Sequence, residues 1–284
     1  MAWYDRTLAT LEVPYQSQYV MTRYGETHVL TAGCSTHPPL VLLHGTNVSA
    51  LGWKHQIAQF ADDYYVIAPD VIGFAGRSAP VRLPYAGNGY AHWLLDVLDA
   101  LGVEQTILMG SSGGGYFALK PAILAPERVL GLILINPCGI ARFRYPYEMA
   151  RFSPVMDLAG LIGRGLLATP RMARLLVKEH LAPGMTPDDE TVEMAYLLVK
   201  YFKRYHPPGP LPLTELRRVT MPVLLLVGAY EPFLHTPSLI RRAQHTFADL
   251  RICEVADAGH DIHKDQPEAV HHQIMHFLSE LMRI

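Results

Sequence analysis

The sequence predicts an α/β fold, a mostly parallel central sheet flanked by helices and interrupted by an inserted helical block. Three observations carry this reading. Short runs with the composition of strands buried on both faces recur along the chain. Helical patterns separate the early runs, the rhythm of a parallel sheet covered on both sides. The alternation stops between Gly139 and about Leu216 and resumes at Val223. A chain of 284 residues is long enough for one large domain with an insertion. Residues 1–138 and 217–284 are therefore expected to form the core, and 139–216 a helical cap.

The elements follow in order. Gln16–Arg23 and Glu26–Thr31 around Gly25 read as an antiparallel hairpin on the sheet edge. The buried-strand runs are Leu40–Leu43, Tyr65–Ala68, Thr106–Met109, Leu130–Ile135, Val223–Val227 and Arg251–Val255. Trp53–Phe60 has a helical pattern. Tyr90–Leu101 is clearer, with Trp93, Leu94, Val97, Leu98 and Leu101 on one stripe, and Gly102 stops it as a C′ residue does. A third helix runs from Gly113 to about Leu124 and contains Pro121, which removes one backbone donor. In the inserted block, helical segments are expected near Tyr147–Leu167, Arg171–Leu181 and Asp188–Tyr205, with many aromatics among them.

Composition excludes several classes. Half of the residues are hydrophobic and 18% are charged, as in ordinary globular proteins. The 24 Lys and Arg against 26 Asp and Glu leave a net charge of −2, so neither a nucleic-acid-binding face nor a polybasic membrane patch is expected. Cys34, Cys138 and Cys253 are an odd number without metal-ligand spacing, which points to a reducing compartment. No signal peptide pattern opens the chain and no apolar run approaches a bilayer span, so a cytoplasmic protein is expected.

The chemistry begins at Gly110-Ser111-Ser112-Gly113-Gly114, a G-x-S-x-G motif running from a strand into a helix. A nucleophile at the apex of such a turn has strained backbone, and the residues two before and two after it crowd too closely for side chains. Centring on Ser112 places Gly110 and Gly114 there, whereas centring on Ser111 would place Met109 at one of them. Ser112 is the expected nucleophile. Neither a GxGxxG nor a P-loop lysine supports a phosphate-cradling alternative.

Upstream, Val41-Leu42-Leu43-His44-Gly45-Thr46-Asn47 is a strand ending in His-Gly. In this architecture the loop after that strand and the residue after the nucleophile each supply a backbone N–H to the oxyanion hole. Here those are Thr46 and Gly113. His44 is read as structural, because the general base follows the nucleophile in the order Ser, acid, His. That base is His260, in Asp257-Ala258-Gly259-His260 before the last helix. A metal site from His260, Asp261, His263 and Asp265 is the competing reading, but no further element completes a ligand set. The acid is Glu231, the only carboxylate in the stretch after Val223–Val227, while Asn136 occupies the other position where an acid could stand.

With His44-Gly45, the Ser112 motif, Glu231 and Gly259-His260 in this order, the chain resembles the α/β-hydrolase superfamily over nearly its whole length. Within it, the sequence is similar to bacterial carboxylesterases of the NP (naproxen esterase) type. The helix from Tyr90 to Gly102, the glutamate ending Gly228-Ala229-Tyr230-Glu231, and the loop from Asp70 to Ser78 carry this likeness. That loop has one residue more than the common D-x-x-G-x-G-x-S pattern. Ser111 departs from the larger or amide side chain often found before the nucleophile, and with Asn47 it is assigned to substrate contact. The resemblance implies an α/β-hydrolase fold and hydrolysis of a small-molecule ester through an acyl-enzyme, with no cofactor and no metal. The same triad also serves C–C bond hydrolysis, lyase and acyl-transfer chemistry, and a ligand-binding receptor uses such a pocket without turnover.

Overall fold

In a computed structural model of the chain, residues 2–46, 48–144, 169–201 and 207–282 are described. A short N-terminal helix, α1 (Ala2–Leu8), precedes the hairpin of β1 (Tyr15–Thr22) and β2 (Gly25–Ala32). Then follow β3 (Pro39–Leu43), α2 (Lys54–Phe60), β4 (Tyr65–Pro69), α3 (Gly89–Ala100), β5 (Thr106–Ser111), α4 (Gly113–Leu124) and β6 (Val129–Ile135). Two helices of the inserted stretch, α5 (Pro170–Lys178) and α6 (Asp189–Tyr201), come next. The chain closes with α7 (Leu213–Leu216), β7 (Val223–Gly228), α8 (Thr236–Gln244), β8 (Leu250–Val255), α9 (Ile262–Asp265) and α10 (Pro267–Leu281).

The eight strands form one sheet in the order β1-β2-β4-β3-β5-β6-β7-β8. The β1–β2 and β2–β4 pairs are antiparallel, and every pair from β4 to β8 is parallel. This is the α/β-hydrolase architecture, and the hairpin sits at the edge expected of it. The strand ends align: Leu43 pairs with Gly110, Ser111 with Ile135, Ile135 with Leu226, and Gly228 with Val255. The loops leaving these carboxyl ends therefore meet on one side of the sheet, where open parallel sheets place their ligands.

Period-two side-chain alternation divides the core. Val41, Leu43, Leu108, Leu132, Leu134, Leu225 and Val227 face one side, where α3, α4 and α8 cover them. Leu40, Leu42, Ile107, Met109, Ile133, Ile135, Leu224 and Leu226 face the other, against α1, α2 and α10. Burying each such Leu or Ile contributes about 2 kcal/mol. The stripe on α3 behaves as expected, with Trp93 fully buried and its indole N–H donating to Thr27 Oγ1 at 2.8 Å. Gly102 follows the Leu101 cap with φ +69°, a value that favours glycine. Pro121 lies inside α4, which runs unbroken to Leu124.

The expected helix at 147–167 lies outside the described residues, as does the end of the one expected to reach Tyr205. α5 and α6 pack on each other through Ala173, Val177 and Val192. They are tied to the core by Lys54–Glu190 and Arg6–Glu193, both 2.6 Å, and by Lys264 Nζ donating to Thr191 Oγ1 at 3.1 Å. No helix among the described residues is long and apolar enough to cross a membrane.

Candidate active site

β5 ends at Ser111 and α4 begins at Gly113, so Ser112 alone makes the turn. Its φ of 54° and ψ of −118° are unusual for a residue with a side chain, a conformation costing about 1–3 kcal/mol. The surroundings hold it there. Its N–H donates to the Ile135 carbonyl at 2.9 Å, and its own carbonyl accepts from the N–H groups of Cys138 at 2.8 Å and Gly115 at 3.1 Å. A Cβ on Gly110 would run into the Gly114 backbone, and one on Gly114 into the Leu43 carbonyl. The glycine sterics that select Ser112 over Ser111 are thus present as packing.

The loop after β3 lies against this turn. A Cβ on Gly113 would collide with the Thr46 side chain and stand 3.1 Å from the Thr46 nitrogen. The backbone N–H groups of Thr46 and Gly113 are therefore neighbours beside Ser112, and among the described residues neither donates to a backbone acceptor. His44 secures the loop. The Val71 N–H donates to its Nε2 at 2.8 Å, so the proton is on Nδ1, which donates to the Gly45 carbonyl at 2.7 Å. Burial lowers its pKa and keeps the ring neutral.

His260 and Glu231 are bonded, His260 Nδ1 donating to Glu231 Oε2 at 2.6 Å with the carboxylate side chain fully buried. The second oxygen, Oε1, accepts from the N–H groups of Phe233 at 2.7 Å and Leu234 at 2.9 Å. Burial alone would raise the Glu231 carboxyl, but the His260 ring and these donors outweigh it and hold it below the ordinary carboxylate value. Burial likewise disfavours an imidazolium at His260, yet the Glu231 charge prevails and its pKa is raised. The Ser112 hydroxyl caps no N–H of α4. Among the described residues it is not hydrogen-bonded to the His260 ring, and such bonds commonly tighten only around a substrate.

Two residues that sequence reasoning missed hold the His260 loop in place. Asn136, fully buried with φ 39°, donates through Nδ2 to the carbonyls of Gly259 at 3.1 Å and His260 at 2.8 Å. Its Oδ1 accepts from the Gly228 N–H at 3.1 Å. It therefore ties the end of β6, next to Ser112, to the loop carrying His260 and the strand leading to Glu231. Asp265 accepts through Oδ2 from the N–H groups of Gly259 at 2.7 Å and Ala182 at 3.1 Å. His180 accepts the His260 N–H on its carbonyl at 2.6 Å, and its ring stands 5.7 Å from the His260 ring. The inserted stretch thus touches the base loop directly. The available signals were an asparagine where an acid could stand and a second carboxylate just after His260.

Of the residues expected at the site, Ser112, Thr46, Gly113, His260 and Glu231 lie at the aligned strand ends. Ser111 is buried at the end of β5, 4% exposed. Asn47 lies outside the described residues. Among the described residues no group of three or more His, Cys, Asp or Glu is arranged to hold a metal ion. An apolar cavity of about 360 Å³ opens between α6 and the loops after β3 and β4, lined by Trp3, Tyr4, Ser49, Leu197, Leu198 and Tyr201 among others.

Comparison with known proteins supplies the remaining findings. Residues 40–273 match the family described as the alpha/beta hydrolase family. The chain is 30% identical to the uncharacterized carboxylesterase nap of Bacillus subtilis (strain 168), over 97% of this chain and 91% of that one. It is 28% identical to the carboxylesterase YbfK of the same organism, over 97% and 92%. The crystal structure of naproxen esterase (carboxylesterase NP) from Bacillus subtilis superposes with a TM-score of 0.82 at 28% identity, covering 98% of this chain and 96% of that chain.

Proposed function

The chain belongs to the alpha/beta hydrolase family, and from that premise we propose that it cleaves small-molecule carboxylic esters through an acyl-enzyme on Ser112. It is a carboxylesterase-like hydrolase, and the triad assigned to it is Ser112, His260 and Glu231. His260 Nε2 takes the Ser112 proton as Oγ attacks the ester carbonyl. Glu231 fixes the proton on Nδ1, so that Nε2 is the acceptor, and stabilises the imidazolium that forms. The N–H groups of Thr46 and Gly113 meet the oxyanion, a contribution of about 3 kcal/mol per donor in related sites. His260 returns its proton to the departing alcohol, then activates water to release the acid.

We assign the cap role to residues 139–216. The segment between α5 and α6 meets the His260 loop through the His180 carbonyl and the Ala182 N–H, which supports that role. Ser111, adjacent to Ser112, is assigned to substrate contact together with Asn47.

The observation that carries this reading is Ser112 at a strained strand-to-helix apex, on the side of the sheet where the bonded His260–Glu231 pair arrives. The test is Ser112→Ala against a short p-nitrophenyl ester. Loss of turnover by about four orders of magnitude or more is expected. In the unaltered enzyme a burst of p-nitrophenol equal to the enzyme concentration marks the acyl-enzyme whenever deacylation is slower. Full activity in Ser112→Ala ends the proposal.

A further inference from the structure

A second array of serine, histidine and carboxylate, here Ser-His-Asp, stands at the β1 edge of the sheet. Ser17 is exposed on β1, the edge strand, while His28 on β2 and Asp70 after β4 are fully buried. Ser17 Oγ lies 2.8 Å from His28 Nε2, and His28 Nδ1 lies 2.9 Å from Asp70 Oδ2. The register explains the reach: Tyr19 is opposite His28, and Ser17 is its diagonal neighbour on the same face.

The bonds assign the protons. Asp70 accepts from the N–H of Ala50 on Oδ1 and from the N–H of Arg77 on Oδ2, both at 2.9 Å. Tyr4 donates its hydroxyl to Oδ2 at 3.0 Å, and burial together with Asp70 pushes that phenol far above the ordinary tyrosine value, so it stays protonated. A carboxylate so surrounded is an acceptor, and His28 must donate to it from Nδ1. In the neutral ring this leaves Nε2 as the acceptor for the Ser17 hydroxyl. The Tyr4 and Tyr19 rings pack edge-on against the imidazole, at 5.6 Å and 5.1 Å, and hold its plane. In one respect this array is more complete than the one at Ser112, because its serine is already hydrogen-bonded to the base.

We propose that Ser17 is a second nucleophilic serine, an acceptor for acyl and phosphonyl groups from activated donors, with His28 as its base and Asp70 as the anchor of that base. With an aryl ester, Oγ bonds to the carbonyl carbon as its proton passes to His28 Nε2. The aryl C–O bond then breaks, and His28 returns the proton to the aryloxide, which leaves as the phenol. With a fluorophosphonate, Oγ bonds to phosphorus, the P–F bond breaks, and fluoride departs with the proton. Ser17 lies within the edge strand β1 and not at a strand-to-helix turn like that of Ser112, so slow deacylation is expected and the site accepts one group per chain.

The test uses the Ser112→Ala protein, which removes the proposed catalytic nucleophile and so separates this inference from the esterase reading. It is incubated with a fluorophosphonate probe and, separately, with p-nitrophenyl acetate, and adducts are located by intact mass and peptide mass spectrometry. A single adduct on Ser17 is expected, absent from Ser112→Ala/Ser17→Ala. Its rate should exceed by about 100-fold that at Ser279, an exposed serine bonded to the His276 carbonyl rather than to an imidazole. His28→Gln, checked for folding by circular dichroism, should bring the Ser17 rate down to that of Ser279. The Ser279 reference stands even where that variant is too unstable to study. No adduct on Ser17, or one forming no faster than at Ser279, overturns the inference.

Discussion

Ser112 and Ser17 are each placed with a histidine and a carboxylate, and the two arrays differ in everything around those three groups. Ser17 is extended within a strand, exposed at an edge, and already bonded to its histidine. Ser112 sits at positive φ at the start of a helix, not bonded to its histidine, with the Thr46 and Gly113 amides beside it. On the proposed reading, the relay alone confers nucleophilicity, while turnover needs fixed donors for the oxyanion and an apex that presents the serine to a pocket. Among the described residues, only the Ser112 turn combines these.

The sharpest break between the arrays is kinetic. His260→Ala should lower kcat for a p-nitrophenyl ester by about four orders of magnitude or more. Ser17→Ala should leave it within about twofold, since general-base help to a site without oxyanion donors adds little to turnover. Steady-state rates on the two variants check this, and a large loss in Ser17→Ala would erase the distinction.

Next in size is Glu231→Gln, expected to cost about 100-fold to 10,000-fold in kcat, because an amide no longer fixes the His260 tautomer or stabilises its charge. The pH profile carries a sign as well. A base must be neutral to accept a proton, so kcat/KM falls as pH drops through the His260 pKa. Glu231 raises that value, which places the acid limb above about 6.5, the ordinary imidazole value. With the charge gone, burial is the remaining influence and the limb moves to lower pH. An unmoved limb would show that Glu231 does not govern the base.

Much of this site was legible because sterics and chain order leave few choices. Gly110 and Gly114 are needed wherever a strand turns so sharply into a helix, and Glu231 was the single carboxylate after its strand. Most strands were legible from their composition, with ends within two residues of those observed, but Arg251–Val255, expected to be buried on both faces, is the edge strand β8 and is buried only at Val255. α1 was not read from the sequence, as its seven residues have little periodicity and form against the Tyr4 and Leu8 contacts of the folded core. Asn136 and Asp265 were legible only as the wrong things, a missing acid and a stray metal ligand. Their work is done by bonds to Gly228, Gly259, His260 and Ala182, partners up to 124 residues away that no local pattern encodes. Ser17 and His28 escaped notice for the same reason, since only the β1–β2 register brings them together.

Asn136 ranks third in expected effect. Asn136→Ala leaves the Gly228 N–H without its acceptor and two buried carbonyls without their donor, which should destabilise the fold by about 1–3 kcal/mol. Urea denaturation measures that loss. Because the same bonds seat the His260 loop, kcat should fall by about tenfold while the Ser17 labelling rate stays unchanged.

Asp265 provides the smallest effect and the finest discrimination. Both of its hydrogen bonds converge on Oδ2, from Gly259 on the base loop and Ala182 in the inserted stretch, while Oδ1 is buried without a partner. Asparagine keeps one acceptor oxygen in that place, so Asp265→Asn should hold kcat within about threefold. Asp265→Ala removes the clamp, and kcat should fall by about tenfold. The expected split follows from what the carboxylate does: it joins the inserted stretch to the residue before His260 by accepting two bonds, and its charge is incidental. Equal losses in the two variants would instead mean that the charge matters, acting on His260 across the short α9 turn.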